Sequence, residues 1–180
     1  MTEKLKYAII GAGCMGQEHI LNIEIIDDAE VVALCDTSEK SIKESLDLLN
    51  NDVAIFDNYI DLVEANIADA FIIATPNFTH IEVLKEVMKS EAHLLIEKPL
   101  CTTVKDCQEF EKLAVDYPGV IWTAMEYRYM PPVQRMIKEI HNKTIGDLKM
   151  LSIREHRFPF LHKVDDWNRF AIKTGGTLVE

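Results

Sequence analysis

Short apolar runs alternate with helix-length amphipathic stretches through the first two-thirds of the chain. Tyr7-Ala-Ile-Ile10 is the first run, followed by a glycine-rich turn and a helix-length segment from Met15 to Asp27. Val31-Val-Ala-Leu-Cys35 is the second, and behind it Ile42, Leu46 and Leu49 stand at helical spacing after Thr37 and Ser38. Further strands are predicted at Val53–Phe56, Asp69–Thr75, His93–Glu97 and Gly119–Met125. Helices are predicted between them, from Tyr59 to Ala65, Thr79 to Ser90 and Thr103 to Asp116. Thr79-His-Ile-Glu82 matches a capping box, and Thr103-Val-Lys-Asp106 carries a similar cap. The Asp69–Thr75 run is apolar almost throughout, as a strand covered on both faces requires. Strand and helix alternate without repeats, low complexity or a flexible linker, which predicts an α/β fold with a doubly wound, mostly parallel sheet.

The pattern changes near residue 126. Pro131-Pro132 opens a helix bearing Val133, Met136, Ile137 and Ile140, and Gly146 punctuates it. Lys149-Met-Leu-Ser-Ile-Arg154 reads as a strand, and an irregular stretch rich in His, Arg and aromatic residues follows. The expected organisation is an α/β domain over 1–125 and the beginning of a second, α+β domain over 126–180.

Composition narrows the function classes. The 180 residues carry a net charge of −11, unevenly spread. Residues 126–180 hold 10 Lys/Arg and 7 Asp/Glu, whereas residues 1–125 hold 9 and 23. Such an acidic body argues against a nucleic-acid partner but not against a nucleotide, whose phosphates backbone dipoles can meet. No run of 18 or more apolar residues suggests a membrane span, and the apolar stretch at the N-terminus is too short for a signal peptide. Cys14, Cys35, Cys101 and Cys107 form no CxxC pair and no zinc spacing, so free thiols in a reducing, cytoplasmic setting are expected. The histidines likewise lack ligand spacing, and no metal site is expected.

The candidate chemistry gathers where the strands end. Gly11-Ala-Gly-Cys-Met-Gly16 follows the first strand and opens the first helix, the order a dinucleotide-binding βαβ unit needs. Gly11 permits a sharp turn, Gly13 lets backbone N–H groups reach a pyrophosphate, and Gly16 lets helix pack on strand. Cys14 and Met15 complete that loop. Asp36 closes the second strand 20 residues past Gly16, the place of an acid that accepts hydrogen bonds from an adenosine ribose. Its structural alternative is a position beside the cap of the next helix, with Thr37 or Ser38 as the cap. Ligands bind such sheets at the carboxyl ends of the strands, where Gly11, Asp36, Thr75, Glu97-Lys98 and Glu126-Tyr-Arg128 all fall. A lysine beside a nicotinamide can exchange a proton with a substrate hydroxyl while hydride moves, and a cis Lys98–Pro99 peptide would aim it. The alternative for Lys98 is a surface lysine after a strand.

Taken together, GAGCMG (11–16), Asp36, ATPNFTH (74–80), EKP (97–99) and the WN…TGG stretch (167–176) resemble the Gfo/Idh/MocA family of NAD(P)-dependent oxidoreductases. The resemblance implies a Rossmann-type fold and NAD as cofactor, with NADP disfavoured because Asp36 would repel a 2′-phosphate. It implies that Lys98 is the catalytic lysine, that Thr75, Pro76, Asn77 and His80 line the cofactor, and that Glu97 lies near the nicotinamide ribose. Arg128 and Trp167 become candidate substrate contacts, with His156, Arg157, His162, Asp165 and Asp166 as further lining of a polyol pocket. The family's second-domain motif resembles GG-x-L-x-D-x-G-x-H. Here Glu180 stands at the Asp position, which makes it a second catalytic candidate one methylene longer.

The implied activity is oxidation of a secondary hydroxyl of a sugar, inositol or related polyol by a protein that is a homo-oligomer at full length. A non-catalytic NAD-binding regulator and an NAD-using glycosidase are the alternatives on the same fold. Residues 1–180 read as the nucleotide half with an unfinished second domain. On that reading the chain binds NAD, turns polyols over negligibly, and leaves Phe158, Phe160, Leu161 and Phe170 poorly covered.

Overall fold

The computed structural model of the chain describes residues 3–154, 156 and 163–176. These residues fall into two compact units, one running up to Ala124 and resuming at Asp165, the other from Met125 to Val164.

The first unit is built on six strands: β1 (Leu5–Ile10), β2 (Ala29–Cys35), β3 (Ala54–Phe56), β4 (Ala70–Ile73), β5 (His93–Glu97) and β6 (Ile121–Ala124). All pair in parallel in the order β3-β2-β1-β4-β5-β6. The order reverses at β1, with β2 on one side and β4 on the other. Helices α1 (Cys14–Glu24), α2 (Glu39–Leu46), α3 (Tyr59–Glu64), α4 (His80–Val87) and α5 (Val104–Ala114) make the crossovers.

Strand alternation explains why the strands read as continuous apolar runs. Ala8, Ile10, Phe71 and Ile73 face one side with Leu62, Leu84, Val87 and Phe110 of α3, α4 and α5. Ile9, Leu34 and Ile72 face the other, with Ile20 and Ile23 of α1 and Ile42 of α2. Each large side chain so buried contributes about 1.5–3 kcal/mol of apolar transfer. Both layers are therefore required to close the sheet.

One helix start differs in mechanism from the sequence pattern. Thr103 caps α5 as expected: its Oγ1 accepts from Asp106 N–H at 3.1 Å and donates to the Asp106 carboxylate at 2.7 Å. Thr79 does not cap α4. A 3-10 turn over Asn77–Thr79 precedes that helix, and the Thr79 hydroxyl donates back to the Pro76 carbonyl at 2.7 Å, with the Thr75 hydroxyl 2.8 Å away. The turn, not the helix, uses this threonine. At α2, Ser38 takes the cap, its Oγ accepting from Ser41 N–H.

In the second unit, a 3-10 turn (Glu126–Tyr129) leads into α6 (Pro131–His141) with proline in its first turn. Residues 149–154 form no strand. Met150 is 85% and Ile153 68% exposed, and no neighbouring strand lies among the described residues to complete a ladder. An isolated strand leaves its backbone groups unpaired, so the apolar pattern alone does not make one. The last short helix, α7 (Ala171–Thr174), belongs to the first unit and ends at Gly175 in left-handed conformation. No helix among the described residues is long and apolar enough to cross a membrane.

Candidate functional site

The carboxyl end of β1, where the sheet order reverses, is the centre of the site. Gly11 N–H donates to the Cys35 carbonyl at the end of β2, and Ala74 N–H donates to the Ile10 carbonyl from the end of β4. Gly11 has φ +98°, and a Cβ there would meet the Ala74 carbonyl and the Thr75 nitrogen within 2.7 Å. At Gly16 a Cβ would strike the Gly11 carbonyl. Both glycines are demanded by the protein's own packing. Gly13 is different: its φ is −76° and a Cβ would meet nothing within 4 Å. The space beside it is kept clear without serving the fold.

The loop is held rigidly. Ala12 N–H donates to Asp36 Oδ2 at 2.8 Å, while the Ala12 carbonyl accepts from buried Ser45 Oγ at 3.0 Å and from Gln17 Nε2 at 3.3 Å. Helix α1 then starts at Gly13 with no side-chain cap and no acid in its first turn. Its first amides lack intrahelical partners, and the helix dipole there is uncompensated. Such a helix start suits a phosphate. Asp36 also accepts from Ser38 N–H at 2.8 Å through Oδ1. Asp36 thus sits beside the cap of α2, with each oxygen holding one backbone amide and keeping a further lone pair.

On the other side of β1, the turn after β4 presents Thr75, Pro76 and Asn77. Asn77 is buried, and its Nδ2 has no hydrogen-bond partner. An unpaired buried amide donor costs about 1–3 kcal/mol, so it marks a place where a ligand acceptor would be favourable. His80 is fully buried. Its Nδ1 lies 3.0 Å from the Pro99 carbonyl and its Nε2 3.0 Å from the Thr75 carbonyl. With no exposed surface, its ring bridges the turns after β4 and β5. Burial pushes the His80 imidazole below its ordinary value, against the opposing pull of the carbonyls.

The turn after β5 carries Glu97, Lys98 and Pro99, with a cis Lys98–Pro99 peptide. Glu97 is 7% exposed; its Oε1 lies 2.8 Å from His19 Nε2, and its Oε2 accepts Lys98 N–H at 3.2 Å. Lys98 is half-buried, and its ammonium has no hydrogen-bond or ion-pair partner among the described residues. His19, Ser45 and Gln17 were not among the sequence candidates. A faint signal existed for His19, a polar residue one turn past Gly16 beside the core-facing Ile20 and Ile23 of α1.

The remaining candidates separate. Trp167, half-buried, stacks edge-on against Phe78 of the Asn77–Thr79 turn with ring centroids 6.4 Å apart, and the Lys173 ammonium lies 5.4 Å from the Phe78 centroid. Arg128 is exposed in the second unit, where His156 is exposed too. Asp166 pairs with Arg169 at 3.3 Å. Glu180, Arg157, His162, Phe158, Phe160 and Leu161 lie outside the described residues, and Phe170 is exposed. Cys14 is exposed on α1, and the thiols of Cys35 and Cys101 are pushed up to about 12 by burial.

The residues present fit a dinucleotide: a cleared glycine turn at a helix start, a fixed carboxylate with free lone pairs, and an orphaned buried amide across the sheet's switch point. Comparison with known proteins agrees. The chain is 30% identical over 161 residues to an inositol 2-dehydrogenase of Pseudarthrobacter chlorophenolicus, covering 88% of this chain and 47% of that protein. It is 26% identical over 149 residues to a myo-inositol 2-dehydrogenase of Thermotoga maritima, covering 83% and 44%. The solved structure of the WlbA dehydrogenase from Bordetella pertussis, in complex with NADH and UDP-GlcNAcA, superposes with a TM-score of 0.73 at 25% identity, over 80% of this chain and 44% of that one. The chain thus spans less than half the length of these relatives. Residues 5–125 match the model of an oxidoreductase family with an NAD-binding Rossmann fold, and the chain belongs to that family, Gfo/Idh/MocA.

Proposed function

We propose that the chain supplies the nucleotide-binding half of an NAD-dependent oxidoreductase that oxidises a secondary hydroxyl of a sugar, inositol or related polyol, with Lys98 taking the hydroxyl proton. The observation that carries this reading is Lys98 itself. Its half-buried side-chain nitrogen has no partner among the described residues, and it stands at the carboxyl edge of the sheet on the same side of β1 as the Asn77 amide, which is unpartnered among the described residues. The inositol dehydrogenases among the relatives supply the substrate class.

NAD, when bound, is the hydride acceptor. The chain's own residues bind and orient it. Amides of Gly13 to Gly16 meet the pyrophosphate, Asp36 accepts the adenosine ribose hydroxyls, and Thr75, Pro76 and Asn77 face the nicotinamide half. Glu97 takes the nicotinamide ribose. Lys98, with its side chain as the neutral amine, would hold the substrate oxygen and accept the hydroxyl proton to become the ammonium as the hydride leaves.

NADH and NADPH titrations followed by fluorescence test the cofactor side. NADH is expected to bind more tightly by tenfold or more, roughly the worth of a charge repulsion set against a ribose hydrogen bond. Asp36→Ala narrows that gap, and Lys98→Ala leaves NADH binding within about threefold. Tighter binding of NADPH overturns the role of Asp36. A sugar and inositol panel, run on a protein that carries this chain together with a complete substrate domain, tests the reaction: net NADH formation that falls about a hundredfold or more in Lys98→Ala supports a dehydrogenase. Sugar release without net NADH marks an NAD-using glycosidase instead.

A further inference from the structure

Glu97 is a buried carboxylate, and the structure shows what keeps it in place. Only two donors meet it among the groups described: the Lys98 N–H at 3.2 Å on Oε2, and His19 Nε2 at 2.8 Å on Oε1. Side-chain exposure is 9% for Glu97 and 16% for His19, so water compensates little of either. A buried carboxylate that loses one of two donors must move, recruit water or take up a proton. His19 belongs to α1, the helix that begins at Gly13 beside the cleared turn. That helix is locked by Gly16 against the Gly11 carbonyl and by Ile20 and Ile23 in the core. The turn carrying Glu97 and Lys98 comes instead from β5, two strands away from β1, on the far side of β4. One hydrogen bond therefore joins the helix at the phosphate end of the site to the turn at its reactive end.

We propose that His19 is the positioning residue of the nicotinamide half, fixing the Glu97–Lys98 turn to the pyrophosphate helix through the bond from Nε2 to the Glu97 carboxylate. The proposal rests on the reading that Glu97 and Lys98 face the nicotinamide end. His19 touches neither cofactor nor substrate; it acts through Glu97. A dinucleotide is thereby read at both ends by one rigid helix, and its two halves differ in their need for His19. Ligands that fill only the adenosine and phosphate part do not use the Glu97–Lys98 turn.

The test compares NADH with ADP, which lacks the nicotinamide and its ribose, on the 180-residue chain and on His19→Ala, His19→Asn and His19→Gln. A hydrogen bond to a charged group is worth roughly a tenfold or greater change in binding. His19→Ala and His19→Asn, neither of which reaches Glu97, are expected to weaken NADH by that factor and to leave ADP within about twofold. His19→Gln, whose longer amide can donate to the carboxylate, restores most of the loss. Equal weakening of NADH and ADP overturns the proposal, because His19 would then serve the phosphate turn. Unchanged NADH binding, or a Gln variant no better than Asn, overturns it too. If the Ala variant does not fold, the Asn and Gln pair still decides. NADH binding absent from the unmodified chain is a separate outcome: it overturns the cofactor reading, and with it this proposal.

Discussion

Gly11 and Gly13 are two residues apart, yet the structure asks different things of them. At Gly11 a methyl would press on the Ala74 carbonyl from a backbone with φ +98°. Gly11→Ala is expected to cost about 2–4 kcal/mol, the sum of left-handed strain and overpacking, and to show as a lowered unfolding midpoint before any ligand is added. At Gly13 the methyl meets nothing. Gly13→Ala is expected to stay within about 1 kcal/mol of the parent in stability, the scale of an N-cap change, while losing tenfold or more in NADH affinity. Denaturant melts and NADH titrations on the two variants check this. A Gly13→Ala protein that binds NADH normally would mean that the cleared space is not where the pyrophosphate sits.

Between elements, the buried His80 and the half-buried His19 tie together turns and helices that lie apart in the chain. His80, at the start of α4, holds the turns after β4 and β5 together through the Thr75 and Pro99 carbonyls. A neutral imidazole can donate to only one of them, and burial holds the ring below its ordinary value of about 6.5. Below that pH the unfolded chain binds a proton that the folded one resists. The contribution of His80 is therefore fully present above about pH 6.5 and is lost as the pH falls towards and through the lower folded value. Glu97 is the charged group that opposes this shift. Urea unfolding at pH 7.5 and 5.5 should show the parent losing more stability on acidification than His80→Asn, which donates to a carbonyl but does not titrate. Equal losses would show that His80 is not the titrating group. The same level shows where pattern and structure part. Thr79 has the spacing of a helix cap, but a 3-10 turn intervenes and its hydroxyl serves Pro76 instead. Local spacing cannot reveal which of two nearby backbone acceptors a hydroxyl will choose.

Over the whole molecule, the excess of acids sets the long-range electrostatics. Residues 1–125 carry 23 acidic against 9 basic side chains, and the ion pairs described among them are mostly exposed i,i+3 and i,i+4 contacts. Such pairs are worth about 0–1 kcal/mol each, too little to offset the repulsion of the excess acids. Added salt screens that repulsion over a Debye length of about 10 Å at 0.1 M. Raising NaCl from 10 to 150 mM is expected to raise the thermal midpoint by a few degrees. A midpoint that falls with salt would show that attractive pairs, not the net charge, dominate the electrostatics.

Sequence alone determined the sheet, the helices that cover it and the order in which they come. Those properties follow from local periodicity and from the right-handed crossover rule, which leaves few ways to wind alternating strands and helices. It also put Gly11, Asp36, Thr75 and Lys98 at the carboxyl ends of strands, because each occupies a fixed place relative to an apolar run. Tertiary structure alone decided what those residues touch. The Asp36–Ala12 bond spans 24 residues, Ser45–Ala12 spans 33 and His19–Glu97 spans 78. No periodicity reaches across such separations. It decided equally that Lys149–Arg154 makes no strand among the described residues, since a ladder needs a neighbour and an alternating pattern supplies only one side of it. An element follows from residues close in the chain, but a site is made where distant elements end side by side.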